Sequence, residues 1–232
     1  MASAQPRRWA AHEVRLVRRF KLTMDNEDCM AGFREPVREW VLRDMGIPTR
    51  AQQLAWPAIQ SGNHTLVVAP TGSGKTLAAF LSAIDHVLFD PVPRQDERCR
   101  VLYISPLKAL AVDIERNLRR PIEGIMATAR ELGIAVHTPE VAVRTGDTPA
   151  RERQRFARRP ADIFITTPES LYLVLTSAAR EALRSVQWVI IDEIHAVVGT
   201  KRGVHLALSL ERLEGLTANR ATPGFQRIGL SA

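Results

Sequence analysis

The sequence predicts an α/β fold, with a mostly parallel sheet that is covered by helices on both faces. Short apolar segments rich in β-branched residues alternate along the chain with longer segments of helical periodicity. These apolar segments contain few polar residues, which is the pattern of strands buried on both faces. A glycine-rich turn at residues 69–74 joins one such strand to a helix. We find no internal repeat and no interdomain linker in the sequence, so we expect one domain over residues 31–232.

The first half of this domain is predicted to contain four helices and two strands. Pro36 suits the start of a helix over 36–45, and Thr49 suits the N-cap of a second helix that ends near Gly62. The other elements are a strand over 65–69, a helix over about 75–88, a strand over 101–104 and a long helix from Lys108. We expect Pro121 to interrupt that last helix, because proline lacks the backbone N–H that a helix interior needs.

The second half is predicted to continue the alternation of strands and helices. Strands are expected over 141–143, 163–165 and 187–191, with a last strand that begins near 227. Helices are expected over about 168–184 and 204–217. A further helix would have Thr148 as its N-cap and Pro149 as its first helical residue.

The composition is that of an ordinary globular protein, with 45% hydrophobic and 25% charged residues. No apolar run approaches the roughly 20 residues that span a bilayer, and no signal-peptide pattern opens the chain, so no membrane partner is expected. Cys29 and Cys99 are isolated and lack the spacing of metal ligands. A reducing, cytoplasmic compartment is therefore expected.

The net charge of +7 is concentrated near the start of the chain, so it is weak support for a polyanionic partner. Residues 1–22 hold six basic residues against Glu13 alone. We expect residues 1–30 to form a poorly ordered basic tail. It has three interpretations: an arm that is solvated or touches nucleic acid, an organelle transit segment, or residues added by an upstream start. Met24 and Met30, which precede the first patterned segment, favour the last of these.

The glycine-rich turn carries the strongest functional pattern, because a phosphate-binding loop also lies between a strand and a helix. Backbone N–H groups at Gly72 and Gly74 can converge on a phosphate. Lys75 supplies a cation for the β- and γ-phosphates, and the Thr76 hydroxyl can bind Mg²⁺. The predicted nucleotide-binding residues of the turn are Pro70, Thr71, Gly72, Ser73, Gly74, Lys75 and Thr76. Ala69 replaces the first glycine of the consensus, and a glycine-rich turn with a chance Lys-Thr pair is the structural alternative.

Two adjacent carboxylates, Asp192 and Glu193, directly follow the apolar run 188–191. Open α/β sheets bind their ligands at the carboxyl ends of strands, where a cation would balance this pair. Beside a nucleotide, Asp192 fits a ligand of Mg²⁺, and Glu193 fits the base that polarises the attacking water. The alternative is a strand that ends in a solvated acidic turn. His195 would either link the nucleotide to a neighbouring site or pack at the start of a helix.

Several segments resemble the motifs of superfamily-2 helicases, in the order that the family has them. APTGSGKT (69–76) resembles motif I, DEIH (192–195) motif II, and GLSA (229–232) the start of motif III. PTRAQ (48–52) resembles the Q motif, YISPLKAL (103–110) motif Ia, and TTPESL (166–171) motif Ib. The stretch 199–208 after the DEIH box is similar to the large helicase-related (Lhr) proteins. The resemblance covers residues 33–232 and implies a RecA-like P-loop NTPase domain.

The resemblance also implies roles for individual residues. Gln52 would read the adenine edge, which makes ATP the expected nucleotide, and Phe33 would pack near the base unless it is an ordinary core residue. His195 and Ser231 would couple the nucleotide to the neighbouring site. The implied nucleic-acid contacts are Pro106, Leu107, Lys108, Arg144, Thr145, Gly146, Thr167, Pro168 and Glu169, each of which is alternatively a plain turn residue. Such loops offer hydroxyls, amides and two basic groups, which suit the phosphates of a single strand.

A cluster of arginines lies on the predicted helix after Pro149, with Glu152 as the opposing charge. Its members are Arg151, Arg153, Arg155, Arg158 and Arg159. A charged helix face is usually just solvated, and direct contact with nucleic acid is the alternative.

The expected function is that of an ATP- and Mg²⁺-dependent helicase, with Lys75 and Glu193 as its catalytic residues. The resemblance implies a single strand, of DNA rather than RNA, and 3′-to-5′ movement. The alternatives are a DEAD-box-like RNA remodeller, a non-catalytic nucleotide- or nucleic-acid-binding module, and an unrelated P-loop enzyme such as a small-molecule kinase. Because the chain ends within the resemblance to motif III, a second RecA-like domain is the expected missing partner. We therefore expect this chain alone to bind ATP weakly and to be nearly inactive. We also expect its last strand to be the least protected part of the sheet.

Overall fold

A six-stranded parallel sheet forms the centre of the domain, which confirms the predicted fold class. The computed structural model describes residues 28–218 and 224–232. The strands are β1 (Thr65–Val68), β2 (Val101–Ile104), β3 (Val141–Arg144), β4 (Ile163–Thr166), β5 (Trp188–Ile191) and β6 (Gln226–Ser231). Their order across the sheet is β1-β6-β5-β2-β4-β3, and every neighbouring pair is parallel. All six carboxyl ends therefore lie along one edge of the sheet.

Helices connect the strands in the described part of the chain. They are α1 (Glu35–Trp40), α2 (Arg50–Gln60), α3 (Lys75–Phe89), α4 (Lys108–Glu131), α5 (Ala150–Arg158), α6 (Pro168–Leu175) and α7 (Lys201–Thr217). A π-helical turn, Val41–Met45, continues α1, and the shorter 3-10 turns are Asp28–Met30, Gln95–Glu97, Ala178–Leu183 and Ile194–Ala196.

The two faces of the sheet have separate hydrophobic cores, because successive residues of a strand point to opposite sides. On one face, Tyr103 and Ile165 pack with side chains from α1, α2, α3 and α4. On the other face, Leu102 and Phe164 pack with side chains from α5, α6 and α7. Burial on both faces explains why the sequences of these strands are continuous apolar runs.

Helix starts follow the sequence signals in most places. Thr49 caps α2 in a capping box with Gln52, and Pro36 lies in the first turn of α1, both as predicted. The prediction for Thr148 is wrong, because α5 begins at Ala150. The Thr148 hydroxyl instead accepts a hydrogen bond from the backbone N–H of Thr145 at 2.8 Å, which closes a turn in the preceding loop.

The predicted interruption at Pro121 is also wrong, since α4 runs without a break from Lys108 to Glu131. A proline inside a helix costs about 3 kcal/mol through its missing hydrogen bond and its steric clash. Buried apolar side chains lie on both sides of it, namely Ile114, Leu118, Ile122, Ile125 and Met126. Each such side chain contributes about 1.5–3 kcal/mol when it is buried, so tertiary packing outweighs the local cost.

The last strand, β6, occupies an interior position of the sheet. It pairs with β1 on one side and with β5 on the other, and both Ile228 and Leu230 are fully buried. The expectation that this strand is the least protected does not fit its position, because the strands at the sheet margins are β1 and β3.

Most of the predicted basic tail, residues 1–27, lies outside the described residues, so its interpretations stay predictions. Residues 29 and 30, which were assigned to that tail, contribute Cys29 and Met30 to the core, with 0% and 1% exposure. Cys99 is buried as well. In the part of the chain that the structure describes, no helix combines the length and the apolar character needed to cross a membrane.

Candidate nucleotide site and nucleic-acid surface

The predicted functional residues lie along the carboxyl edge of the sheet, in two neighbouring groups. The glycine-rich loop follows β1 and the carboxylate pair follows β5, and these two strands flank β6. The predicted nucleic-acid contacts follow or end β2, β4 and β3, which are consecutive in the other half of the sheet. The topology thus brings together segments that are far apart along the chain.

The glycine-rich loop forms a tight turn between β1 and α3. Gly72 and Gly74 have φ angles of 80° and 79°, which glycine adopts without the steric cost of a Cβ. Lys75 is the first residue of α3 and is 9% exposed, and its ammonium donates a hydrogen bond to the carbonyl of Ala69. The lysine therefore lies across the loop at a helix N-terminus, which favours the binding of a phosphate.

Two residues of the Q-motif segment donate hydrogen bonds to carbonyl groups of this loop. The Thr49 hydroxyl donates a hydrogen bond to the carbonyl of Ser73 at 2.7 Å. The Gln52 side chain is 2% exposed; its Oε1 accepts from the Thr49 N–H at 2.9 Å, and its Nε2 donates to the Gly74 carbonyl at 3.5 Å. Both ends of this amide therefore contact protein, and its contact with adenine stays a prediction.

Phe33 is an ordinary core residue in this structure. It is 2% exposed, and its ring packs edge-on against Trp56 with centroids 5.3 Å apart. Among the two interpretations of Phe33, the geometry favours core packing.

The two carboxylates after β5 have different surroundings. Asp192 is 9% exposed; its Oδ1 accepts from the Glu193 N–H at 2.9 Å, and its Oδ2 accepts from the hydroxyl of Tyr103. Glu193 has a φ of 46°, the one positive φ among the described non-glycine residues. Its Oε2 is enclosed and has no hydrogen-bond partner in the described part of the chain. His195 Nδ1 lies 3.3 Å from that oxygen, but outside hydrogen-bonding geometry.

Tyr103 contacts the carboxylate pair, a role that the sequence analysis did not predict. It lies on β2, is fully buried, and stacks on Phe80 of α3 with ring centroids 5.1 Å apart. Burial, and then the charge of Asp192, raise the pKa of the tyrosine, so it remains a hydrogen-bond donor at neutral pH. The signal was available, because a buried tyrosine hydroxyl usually has a hydrogen-bond partner. The identity of that partner required the pairing of β2 with β5.

The two predicted coupling residues meet at the end of β6. His195 Nδ1 lies 3.2 Å from Ser231 Oγ, and the backbone N–H of Ala232 donates to the same nitrogen at 3.4 Å. The turn after the carboxylates is thereby connected to the carboxyl end of β6.

Ion pairs link the loops of the predicted nucleic-acid surface. Lys108 Nζ, after β2, lies 2.8 Å from Asp147, in the loop after β3. Glu169, at the start of α6, binds Arg202 of α7 through two hydrogen bonds of 2.5 and 3.0 Å. Hydrogen bonding from Arg202 lowers the pKa of Glu169. Sequence reasoning missed Arg202, because its role depends on the packing of α6 against α7.

The predicted strand contacts differ in accessibility. Leu107 is 57% exposed, and Glu169 is also exposed. Thr167 is 3% exposed and accepts a hydrogen bond from the N–H of Ser170, which caps α6, and Pro168 is buried beside it. Arg144 is buried as well. Contact between these buried side chains and a strand stays a prediction.

Comparison with known proteins agrees with this geometry. Residues 49–232 match the family model described as DEAD/DEAH box helicase. The chain is 56% identical over 211 residues to a Mycolicibacterium smegmatis protein named Lhr helicase/probable uracil glycosylase. It is 52% identical over 205 residues to the Lhr helicase/uracil glycosylase of Escherichia coli. These matches cover 91% and 86% of this chain but 14% and 13% of the relatives, so the chain spans a small part of their length.

Solved structures give the same result. The structure of the Mycobacterium smegmatis helicase Lhr bound to ssDNA and AMP-PNP matches with a TM-score of 0.82 and 55% identity, over 88% of this chain and 25% of that one. Mss116p bound to ssRNA and AMP-PNP matches with a TM-score of 0.71 and 19% identity, over 89% of this chain and 40% of that one, which shows the shared fold alone. The small-molecule kinase alternative is therefore wrong. The chain belongs to the DEAD/DEAH box helicase family, and within that family it is similar to the Lhr helicases.

Proposed function

We propose that this chain binds Mg·ATP and a single strand of DNA, and that it powers strand movement in a longer helicase. One observation carries the proposal: the glycine-rich loop, the carboxylate pair and the strand loops share one edge of one sheet. Nucleotide chemistry at one end of this edge can therefore affect the loops at the other end over a short path.

The nucleotide phosphates would bind at the loop between β1 and α3. Backbone N–H groups of residues 71–74 and the ammonium of Lys75 would replace their present contacts with contacts to the β- and γ-phosphates. Gln52 would contact the adenine edge, for which its Nε2 has to leave the long 3.5 Å hydrogen bond to the Gly74 carbonyl. Binding of the adenine base would then change the contact between the Q-motif segment and the glycine-rich loop.

The residues present fit a magnesium ion that is held partly by the nucleotide. No group of three histidine, cysteine, aspartate or glutamate residues with metal-binding geometry occurs in the described part of the chain. Mg²⁺ typically takes one or two protein oxygens and completes its shell with phosphates and water, and Thr76 and Asp192 would supply those two oxygens. Mg²⁺ bound there would neutralise charge on the transferring phosphoryl group. The enclosed and unpartnered Oε2 of Glu193 suits a water molecule beside this ion.

Glu193 would act as the base in hydrolysis. A water oxygen attacks the γ-phosphorus, its proton passes to Glu193, and the bond to the β-phosphate oxygen breaks so that ADP leaves. Asp192 cannot take the same role as freely, because both of its oxygens already accept hydrogen bonds.

The nucleic-acid strand would lie over the loops after β2, β4 and β3. Lys108, which is exposed and now paired with Asp147, would exchange that carboxylate for a phosphate. The ssDNA in the structure of the Mycobacterium smegmatis helicase Lhr favours DNA over RNA. The 3′-to-5′ polarity is part of the same proposal.

The nucleotide half is tested with a fluorescent, non-hydrolysable ATP analogue. Lys75→Ala should lower its affinity at least about tenfold, because the variant loses a charge-assisted contact to the phosphates. Far-ultraviolet circular dichroism should show an unchanged fold. Equal affinity of the variant and the parent chain would refute the phosphate-loop assignment.

The strand half is tested by the salt dependence of single-strand binding, with DNA and RNA of the same sequence. Lys108→Ala should lower the slope of log K against log salt by about 0.7, the value for one phosphate contact of a single strand. Arg94→Ala is the matched control, since Arg94 is an exposed cation paired with Asp96 at 3.1 Å near the amino end of β2. Equal salt slopes for the two variants would show that the strand binds to another surface.

A further inference from the structure

A cavity of about 240 Å³ lies between the marginal strand β3 and helix α5. Ala142, Phe156 and Phe164 form its apolar part. The charged residues that line it are Arg144, Arg153, Arg155, Arg159, Glu140 and Glu152. We call this space the α5 cavity, and it contains part of the arginine cluster that the proposed function does not use.

Arg144 is the most unusual member of this lining. It is the last residue of β3, it is 9% exposed, and none of the described residues forms a hydrogen bond or an ion pair with its guanidinium. Burial, and then the like charge of Arg153, lower its pKa. A buried charge without a partner is costly, and a second cation beside it adds to that cost.

The charges of the cavity do not balance within the protein. Glu140 is engaged by Arg159, whose Nη2 lies 2.6 Å from Oε1. Arg144, Arg153 and Arg155 then remain, with the carboxylate of Glu152 as the opposing charge of the lining. An anion in the cavity would relieve the repulsion between these guanidinium groups.

We propose that the α5 cavity binds a phosphate group, held by Arg144 and Arg153. A guanidinium presents a planar fork of N–H donors that matches two phosphate oxygens, and this makes arginine suited to such a ligand. The space is sufficient for a phosphate with several waters, since each water occupies about 30 Å³.

The phosphate can come from two sources, a nucleic-acid backbone or a free phosphate ion. Thr148, in the loop that carries the predicted strand contacts Thr145 and Gly146, also lines the cavity. A strand that leaves this loop would reach the cavity next, and this source rests on the proposed function. Binding of free phosphate does not rest on it.

The experiment uses the whole chain in a Lys75→Ala background, which removes phosphate binding at the glycine-rich loop. Thermal unfolding is followed while inorganic phosphate replaces chloride at constant ionic strength. We expect phosphate to raise Tm, Arg153→Gln to abolish that rise, and Arg153→Lys to restore part of it. Arg151→Gln, on the same helix but outside the cavity lining, is the matched control and should keep the full rise.

Single-strand binding then separates the two sources. If Arg153→Gln also lowers the salt slope of strand binding by about 0.7, the strand supplies the phosphate. If the phosphate effect is lost but strand binding is unchanged, the ligand is free phosphate, and the cavity is still confirmed. Phosphate binding by a chain that binds no strand would refute the proposed function and leave the cavity standing. A Tm that does not respond to phosphate, or that responds equally in Arg153→Gln, would overturn the proposal.

Discussion

At the scale of single residues, the site combines side chains that the sequence identifies with contacts that it does not. Lys75, Asp192 and Glu193 follow from their places after apolar strands, because the position and the chemical type together are informative. The hydrogen bond from Tyr103 to Asp192 does not follow, since it depends on which strand pairs with β5. The burial of Arg144 likewise depends on where α5 packs.

The different surroundings of the two carboxylates predict different losses of function. Asp192→Ala should weaken Mg²⁺-dependent binding of ATP, because it removes the proposed ligand of the ion. Glu193→Gln should keep Mg·ATP affinity but lower hydrolysis by about 10²- to 10⁴-fold in the full-length protein, because an amide cannot accept the proton of water. Titration of ATP at fixed Mg²⁺ and a single-turnover assay measure the two quantities. The same loss of Mg·ATP affinity in both variants would contradict this division of roles.

Tyr103→Phe should raise the Mg²⁺ concentration needed for half-maximal nucleotide binding. The change removes one hydroxyl that orients Asp192, and a hydrogen bond to a charged group contributes about 1.5–3 kcal/mol, so we expect a rise of about 10-fold to 150-fold. Affinity for the nucleotide without metal should stay the same. Tyr172→Phe is the matched control, because Tyr172 lies on α6 against His205, on the other face of the sheet. A parallel loss of affinity with and without Mg²⁺ would indicate a general defect of folding.

At the scale of elements, the regular segments were predictable and their joints were less so. The strand and helix types follow from apolar periodicity, and the start of α2 follows from Thr49 and Gln52. The continuity of α4 through Pro121 was not predictable from local preference, because the packing on either side of the proline decides it. The link between Glu169 and Arg202 depends on the contact of two helices, which the sequence does not show.

The contact between α2 and the glycine-rich loop predicts a difference between two glycine substitutions. A Cβ at Gly74 would lie 2.6 Å from Gln52 Nε2, whereas a Cβ at Gly72 would meet no atom within 4 Å. Both positions have positive φ, so both changes to alanine should cost about 1 kcal/mol of backbone strain. Gly74→Ala should in addition displace Gln52 and lower ATP affinity more than Gly72→Ala does. Equal affinities of the two variants would argue that Gln52 does not support the bound nucleotide.

At the scale of the whole molecule, the sheet separates structural support from chemistry. Two hydrophobic cores cover its faces, and the polar residues of both proposed sites lie along one edge. The motifs in the sequence predicted which residues lie along that edge. The order of the motifs along the chain predicted the family. It did not predict the position of β6, because the order of strands in a sheet is not the order along the chain.

Hydrogen exchange of the native chain should reflect this arrangement. Amides of β5 and β6, which pair on both sides, should exchange more slowly than those of the marginal strands β1 and β3. Exchange measured by mass spectrometry with peptide resolution distinguishes these segments. Protection of β6 below that of β1 would contradict the interior position of the last strand.

At Glu193, the backbone conformation lowers the stability of the fold, whereas the side chain is proposed to serve hydrolysis. Its φ of 46° belongs to a region that glycine or asparagine occupies at a lower cost than glutamate. A selection for heat resistance alone should therefore favour Glu193→Gly or Glu193→Asn, and each would remove the carboxylate that we propose as the base in hydrolysis. Strained residues persist where function requires them. Mutant libraries that are screened for thermal stability should therefore leave position 193 unchanged. A stabilised variant with a substitution at this position is expected to have lost ATP hydrolysis.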